Sequence, residues 1–195
     1  MIYRGTAKFT PETFAAATTP RAPGNVPFLV GNVWEWLRPE GFPSRRFSAF
    51  AAPCVDGAAA STNCSVNQVY RVELLDGQPV CQLVNGERPQ DARYHADIES
   101  LKRLIIRTLP REWYKRPSSE RGIEAVLFLP CATRDDIDMV MQKSTLIDAE
   151  SIRKSCSFWR DVALLQGDLM LQEMHHSGEI FFEGRYRLVC EHAPC

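Results

Sequence analysis

Gly178-Glu179-Ile180-Phe181-Phe182-Glu183-Gly184-Arg185-Tyr186-Arg187-Leu188-Val189 is the stretch on which the fold turns. Three apolar residues in a row, a glycine, and then an alternating run predict two β-strands hinged at Gly184. At the other end of the chain, Ile2-Tyr3-Arg4-Gly5 is a β-favouring run with its own glycine stop. Between them Phe47 to Ala52 has strand character, and Gln68 to Leu74 alternates apolar and polar residues as a half-buried strand does. Asp76-Gly77 then predicts a hairpin turn into Val80–Val84. Ile123 to Leu129 predicts a central strand, because its apolar run has strand length.

Helices are expected between these strands. Thr10-Pro11-Glu12 has the cap, first-turn proline and acid of a brief helix start. Asp56 to Thr62 is alanine-rich, Asp97 to Leu109 carries apolar residues at helical spacing, Thr133 caps a helix through Met141, and Asp148 to Val162 holds one or two more. Pro20 to Pro43, with five prolines, three glycines and two tryptophans, predicts an ordered but irregular segment. Strands at both ends with helices between give an α+β fold, a single domain over residues 1–195.

Composition narrows the function. With 195 residues, 45% hydrophobic and 24% charged, the chain is neither fibrous nor wholly disordered. A net charge of -1 provides no general basic field for nucleic acid. Seven cysteines without a C-x-x-C pair point away from zinc and towards free, mostly buried thiols in a reducing compartment. No apolar run approaches the ~20 residues of a membrane span, and the first residues lack a signal peptide's apolar core.

Several residue types carry candidate chemistry. Arg4 is an arginine inside an apolar strand, a potential phosphate clamp or an ion-paired surface residue. Ser48 lies among aromatic and small residues in Ser44-Arg45-Arg46-Phe47-Ser48-Ala49-Phe50, either a site hydroxyl or a satisfied core serine beside two surface arginines. Glu179 precedes three apolar residues, where a carboxylate needs a reason to be buried. His175-His176 is better explained as solvent-facing loop than as a metal pair. Cys131, a conceivable nucleophile with His95 or His176, has nothing nearby in sequence to activate it. Asp135, Asp136 and Asp138 are helix-capping acids without a calcium loop. Arg103, Arg107, Arg111, Lys115 and Arg116, near Trp113 and Tyr114, form a basic face that is either solvated or a contact for an acidic protein or a nucleic acid.

Taken in order, Tyr3-Arg4-Gly5, Phe47-Ser48-Ala49-Phe50 and Glu179-Ile180-Phe181-Phe182 with Gly184 and Tyr186 resemble the arginine–serine–glutamate pattern of the cholera-toxin-like ADP-ribosyltransferases. The motifs occupy a small share of the chain but span nearly its whole length. The resemblance implies a split β-sheet core, NAD as substrate with no metal, and transfer of ADP-ribose to a protein. It also implies a bacterial effector or toxin, cytoplasmic or delivered into a host cytosol, whose acceptor class extends to ubiquitin-like modifiers. Under it Glu179, Ser48 and Arg4 are catalytic. Arg4, Gly5, Ser48 and Phe50 face the NAD: Arg4 clamps its pyrophosphate or ribose, and Ser48 orients Glu179 or the ribose. Phe50, Trp34 or Trp36 stacks on the nicotinamide.

Two departures matter. The serine motif is Ser-Ala-Phe instead of Ser-Thr-Ser, and Ser177 stands two residues before Glu179, where arginine-modifying members carry a second acid. The resemblance therefore implies an acceptor other than arginine, with a nucleic-acid base or water still open. The rival expectations are an interaction module without activity, using the Pro20–Pro43 segment and the basic face, and a hydrolase built on Cys131.

Overall fold

Alternation along the strands builds the core. The structure is a computed structural model that describes residues 1–10, 12–15, 17–84, 91–167 and 173–190. These fall into two compact units.

The first unit comprises Met1–Thr19, Gly41–Asp91 and Asp161–Cys195. It contains strands β1 (Ile2–Gly5), β2 (Thr13–Ala15), β3 (Ala49–Ala51), β4 (Val69–Leu74), β5 (Val80–Leu83), β6 (Val162–Leu165), β7 (Ile180–Phe182) and β8 (Arg185–Val189). They form two four-stranded antiparallel sheets, ordered β1-β4-β8-β2 and β3-β7-β5-β6. Ile2, Val72, Tyr186 and Leu188 of one sheet bury against Ala49, Ala51, Val80, Ile180 and Phe182 of the other. The period of two then fixes the opposite face of the second sheet: Phe50, Phe181 and Cys81, paired in register, all point away from this core.

Helix α2 (Val55–Thr62) lies directly on β1. Gly5 is where it touches: a Cβ there would fall 2.0 Å from Thr62 Oγ1 and 3.1 Å from Ala58 O. The glycine is thus needed for close helix–strand packing. Among the described cysteines only Cys81 and Cys156 are buried; Cys54 and Cys190 are exposed, Cys64 and Cys131 half-buried, all six as free thiols. The expectation of mostly buried thiols is corrected accordingly, and Cys195 lies outside the described residues.

The second unit, Pro20–Glu40 and Ala92–Arg160, is helical. It holds α1 (Phe28–Trp36), α3 (Asp97–Thr108), α4 (Arg134–Lys143) and α5 (Ala149–Ser155). Helix α4 begins with a reciprocal cap between Thr133 and Asp136. The buried carboxylate of Asp97 joins α3 to the segment after α5. Its Oδ1 accepts from Ser157 N (2.9 Å) and Ser157 Oγ (3.1 Å), and its Oδ2 from Trp34 Nε1 (2.9 Å), Phe158 N (3.0 Å) and Cys156 Sγ (3.0 Å).

Several expectations are overturned. A helix, α1, occupies the segment expected to be irregular: its prolines flank the helix, at Pro27 and Pro39, without interrupting it. Seven of its residues are buried, so no amphipathic stripe marks it. The expected strand at 123–129 is a run of 3₁₀ turns, Ile123–Phe128. Asn32 Nδ2 satisfies its carbonyls at Leu127 O (2.9 Å) and Leu129 O (2.8 Å), taking the place of a partner strand. The helix expected after Thr10 is instead the edge strand β2, whose Phe14 stacks on Tyr186 of β8 at 5.4 Å; Pro11 is outside the described residues. The one or two helices expected between Asp148 and Val162 are present as α5 and a 3₁₀ turn at Phe158–Arg160; only the far boundary shifts, because Val162 opens strand β6. Finally, β4 and β5 are not a hairpin. They belong to different sheets, and Asp76 holds the crossing by accepting from Arg185 N (2.7 Å), Nε (2.9 Å) and Nη2 (2.6 Å).

Candidate active site

Glu179 stands at the head of β7, and the backbone there is tightly specified. Leu83 N donates to Glu179 O at 2.9 Å. Just before it, Gly178 has φ +115, and a Cβ would lie 2.0 Å from Leu83 O. Gln82, fully buried on β5, holds the preceding turn. Its Nε2 donates to His175 O (2.8 Å) and Ser177 O (2.9 Å), and its Oε1 accepts from His175 N (2.8 Å). Replacing Gly178 by Ala should cost on the order of 3 kcal/mol, since strain at a positive φ is added to a backbone collision. Chemical denaturation of the variant measures this.

The β3–β7 register brings the candidate residues to one face. Ala49 pairs with Phe182, Phe50 with Phe181, and Ala51 with Ile180. Phe50 on β3 and Phe181 on β7 therefore share the side away from the core, and continuing the same alternation puts position 48, just before β3, and positions 179 and 183, flanking β7, on that side. Arg4 comes from the neighbouring sheet. Tyr3 and Ala52 exchange two backbone bonds of 2.8 Å, which stitches β1 to the end of β3. From that seam Arg4 Nη1 donates to Phe50 O at 2.5 Å.

The group on Glu179 is Arg45, one of the two arginines expected on the surface. Arg45 Nη1 forms an ion pair with Glu179 Oε1, both side chains being about nine-tenths buried, at 10% and 12% exposure. The Arg45 guanidinium carbon sits 5.0 Å from the centre of the Phe50 ring and 5.1 Å from that of Phe181. Such contacts are favourable by ~0.5–2 kcal/mol each. A long cationic side chain thus lies across two aromatic rings to reach the carboxylate.

Ser48 serves the other end of this face. Its buried hydroxyl donates to Ser44 O at 2.7 Å, and Ser44 N donates to Glu183 Oε1 at 2.5 Å. Continuing the register by one residue sets Ser48 level with Glu183, leaving Glu179 about four residues, or ~13 Å, along the strand. Ser48 therefore shapes the turn that carries Arg45. Gly5 sits under α2, which explains the glycine by packing.

Other candidates have settled roles. Trp34 is buried in the second unit, stacked on Phe158 at 4.0 Å, and Trp36 Nε1 donates to Asp138 Oδ1 at 2.6 Å. Both tryptophans are core residues of that unit. His95 Nδ1 accepts from Asp97 N at 3.1 Å. His175 and His176 are exposed with ring centres 4.1 Å apart, and His175 Nδ1 lies 3.1 Å from Ser177 Oγ. The residues sit in a turn, so their rings meet where strand neighbours would diverge. Burial, reinforced by the Asp97 charge, pushes the Cys156 thiol far up, which makes it inert. Of the basic face, Arg103, Arg107, Arg111, Lys115 and Arg116 are exposed, and Glu112 pairs with Lys115 at 3.0 Å.

Among the described residues no group of three or more His, Cys, Asp or Glu side chains is arranged to hold a metal, and no helix is long and apolar enough to cross a membrane. The class defined by fold and site is a mixed α+β protein with an arginine on β1, a serine just before β3 and a glutamate just before β7. No family model, curated protein or solved structure compared with the chain matches it significantly.

Proposed function

We propose that the first unit is an NAD-dependent mono-ADP-ribosyltransferase that modifies a protein on a residue other than arginine. The observation that carries this reading is the placement of Glu179. It heads β7 on the same face as Phe50, with Arg4 at the adjoining strand seam. The arginine–serine–glutamate order in the sequence supports it, as do the two packed antiparallel sheets.

The chemistry asks for these residue types. When the nicotinamide–ribose bond breaks, its electron pair leaves with nicotinamide, which departs neutral, and positive charge grows on the ribose. The Glu179 carboxylate stabilises that charge in the transition state more than in the ground state. The acceptor atom then bonds to the ribose carbon and gives up its proton to a carboxylate or to solvent. Arg4 holds a phosphate of the pyrophosphate through charge-assisted hydrogen bonds. Phe50 supplies an aromatic wall for the nicotinamide ring. Water in the acceptor's place makes the same site an NAD glycohydrolase. By resemblance the protein belongs among effectors or toxins acting in a cytosol.

One observation favours a second reading, an interaction module without activity: the Glu179 carboxylate is already engaged by Arg45. Incubating the purified chain and a cell lysate with NAD labelled in its adenylate half separates the two. Label on protein is expected; no transfer together with no NAD cleavage would leave the interaction module.

Ser177 bears on the acceptor. It is a neutral hydroxyl beside His175 Nδ1, so a cationic acceptor meets no second carboxylate there. Agmatine, an arginine analogue, should leave the rate of NAD consumption unchanged in a nicotinamide-release assay. A dose-dependent rise would overturn the argument from Ser177.

A further inference from the structure

The Arg45 side chain occupies the centre of the candidate ligand face, and it does so in a particular chemical guise. A guanidinium is planar, delocalised and weakly hydrated. Here it lies on Phe50 and Phe181 with a carboxylate, Glu179, at its edge. Two aromatic faces and an anion make a site for a planar organic cation, and the protein has filled it with its own.

We propose that Arg45 is a built-in competitor: its guanidinium takes the place of a planar cationic ligand on Phe50, Phe181 and Glu179, and such a ligand enters as Arg45 leaves. The inference takes this face to be the ligand face, as the proposed function does, but not the transfer chemistry.

The anchoring of the chain around Arg45 makes the side chain the moving part. Ser44 N is tied to Glu183 Oε1, Ser48 Oγ to Ser44 O, and Phe47 N to Ser44 O at 3.1 Å. The turn is fixed from both sides, while the arginine stem has several rotatable bonds. With about a tenth of each side chain exposed, the pair is open to solvent at its rim. A ligand with the same charge and flatness makes the same contacts to the rings and the carboxylate, so the exchange replaces like with like. The nicotinamide ring of oxidised NAD, a pyridinium, belongs to that class; reduced NAD, whose ring is uncharged, does not.

The test is a binding titration of the full chain with 1-methylnicotinamide, followed by nuclear magnetic resonance. Wild type, Arg45→Gln and Arg45→Lys are compared after circular dichroism has shown their folds to match. If the open face is ~10% populated in the wild type, Arg45→Gln should bind the cation about tenfold more tightly. Arg45→Lys keeps a charge for Glu179 but not the flat fork, and should bind a few-fold more tightly. Adding Glu179→Gln to Arg45→Gln should reverse the gain. Affinity in Arg45→Gln equal to or below wild type would overturn the proposal; should that variant not fold, the same outcome in Arg45→Lys decides. NAD cleavage is measured in parallel. Tighter cation binding by a protein that never cleaves NAD upholds the competitor and sinks the transferase reading. Cleavage with unchanged cation affinity does the reverse.

Discussion

Replacing Asp97 by Asn should destabilise the protein by ~3–5 kcal/mol, a large share of the ~5–15 kcal/mol that holds a typical domain folded. Five donors converge on this one carboxylate, from Trp34, Cys156, Ser157 (twice) and Phe158. Asparagine keeps one acceptor oxygen and turns an NH₂ group towards donors, so buried N–H groups lose their partners. Urea denaturation of the two proteins measures the loss. The difference should depend on pH. Burial raises the Asp97 carboxyl, but hydrogen bonds from Cys156, Ser157 and Trp34 outweigh it and hold the group below the usual carboxylate range. A depressed carboxyl contributes stability above its unfolded pKa of about 3.9, and that contribution fades as the pH falls through the lower folded value. The gap between wild type and Asp97→Asn should thus be full at neutral pH and shrink below about pH 4. A gap that widened in acid would contradict this account of Asp97.

The second large effect is expected at Glu179. Glu179→Gln should lower kcat for NAD cleavage by about 10²–10³, the usual size for loss of one group stabilising charge in a transition state. KM should move little. The substitution removes an attraction for the cationic ring, but it also releases Arg45 from its pair, and the two changes oppose each other. Steady-state kinetics with both terms resolved is the check. Glu183→Ala serves as the register control: its carboxylate accepts from Ser44 N at the other end of the strand pair and should matter far less to kcat. A greater loss in Glu183→Ala would move the site to that end.

The strands that frame this site were legible because local pattern and tertiary role agree. Gln68–Leu74 alternates, and β4 is half-buried; Ile180–Phe182 is apolar on both sides, and β7 is central. Pairing was not legible. Asp76-Gly77 and Gly184 both look like hairpin turns, yet each carries the chain from one sheet to the other, a choice fixed by packing of the two inner faces. The Ala125–Leu129 run and α1 carry no periodicity that tells strand from helix: α1 is buried on most sides, and a continuous apolar run reads the same whether it forms a strand or, as here, 3₁₀ turns that bury Leu127 and expose Leu129. In the site, Glu179 and Phe50 declared themselves as residues out of keeping with, or central to, apolar strands. Arg45 did not, because an arginine in a turn is ordinarily solvated and only the register places its reach over Phe50 and Phe181. Gln82 left a faint signal, a single amide inside Val80–Val84, and its three bonds to the 175–177 turn explain it.

Release of nicotinamide is the most direct measurement of the central claim. The purified full chain would be incubated with NAD labelled in the nicotinamide carbonyl, with and without lysate as a source of acceptor, and free nicotinamide quantified by chromatography. The expected result is release by the wild type, faster with lysate, and loss of nearly all of it in Glu179→Gln of unchanged fold. Release that persists at the wild-type rate in Glu179→Gln, or no release by the wild type under either condition, would contradict the account.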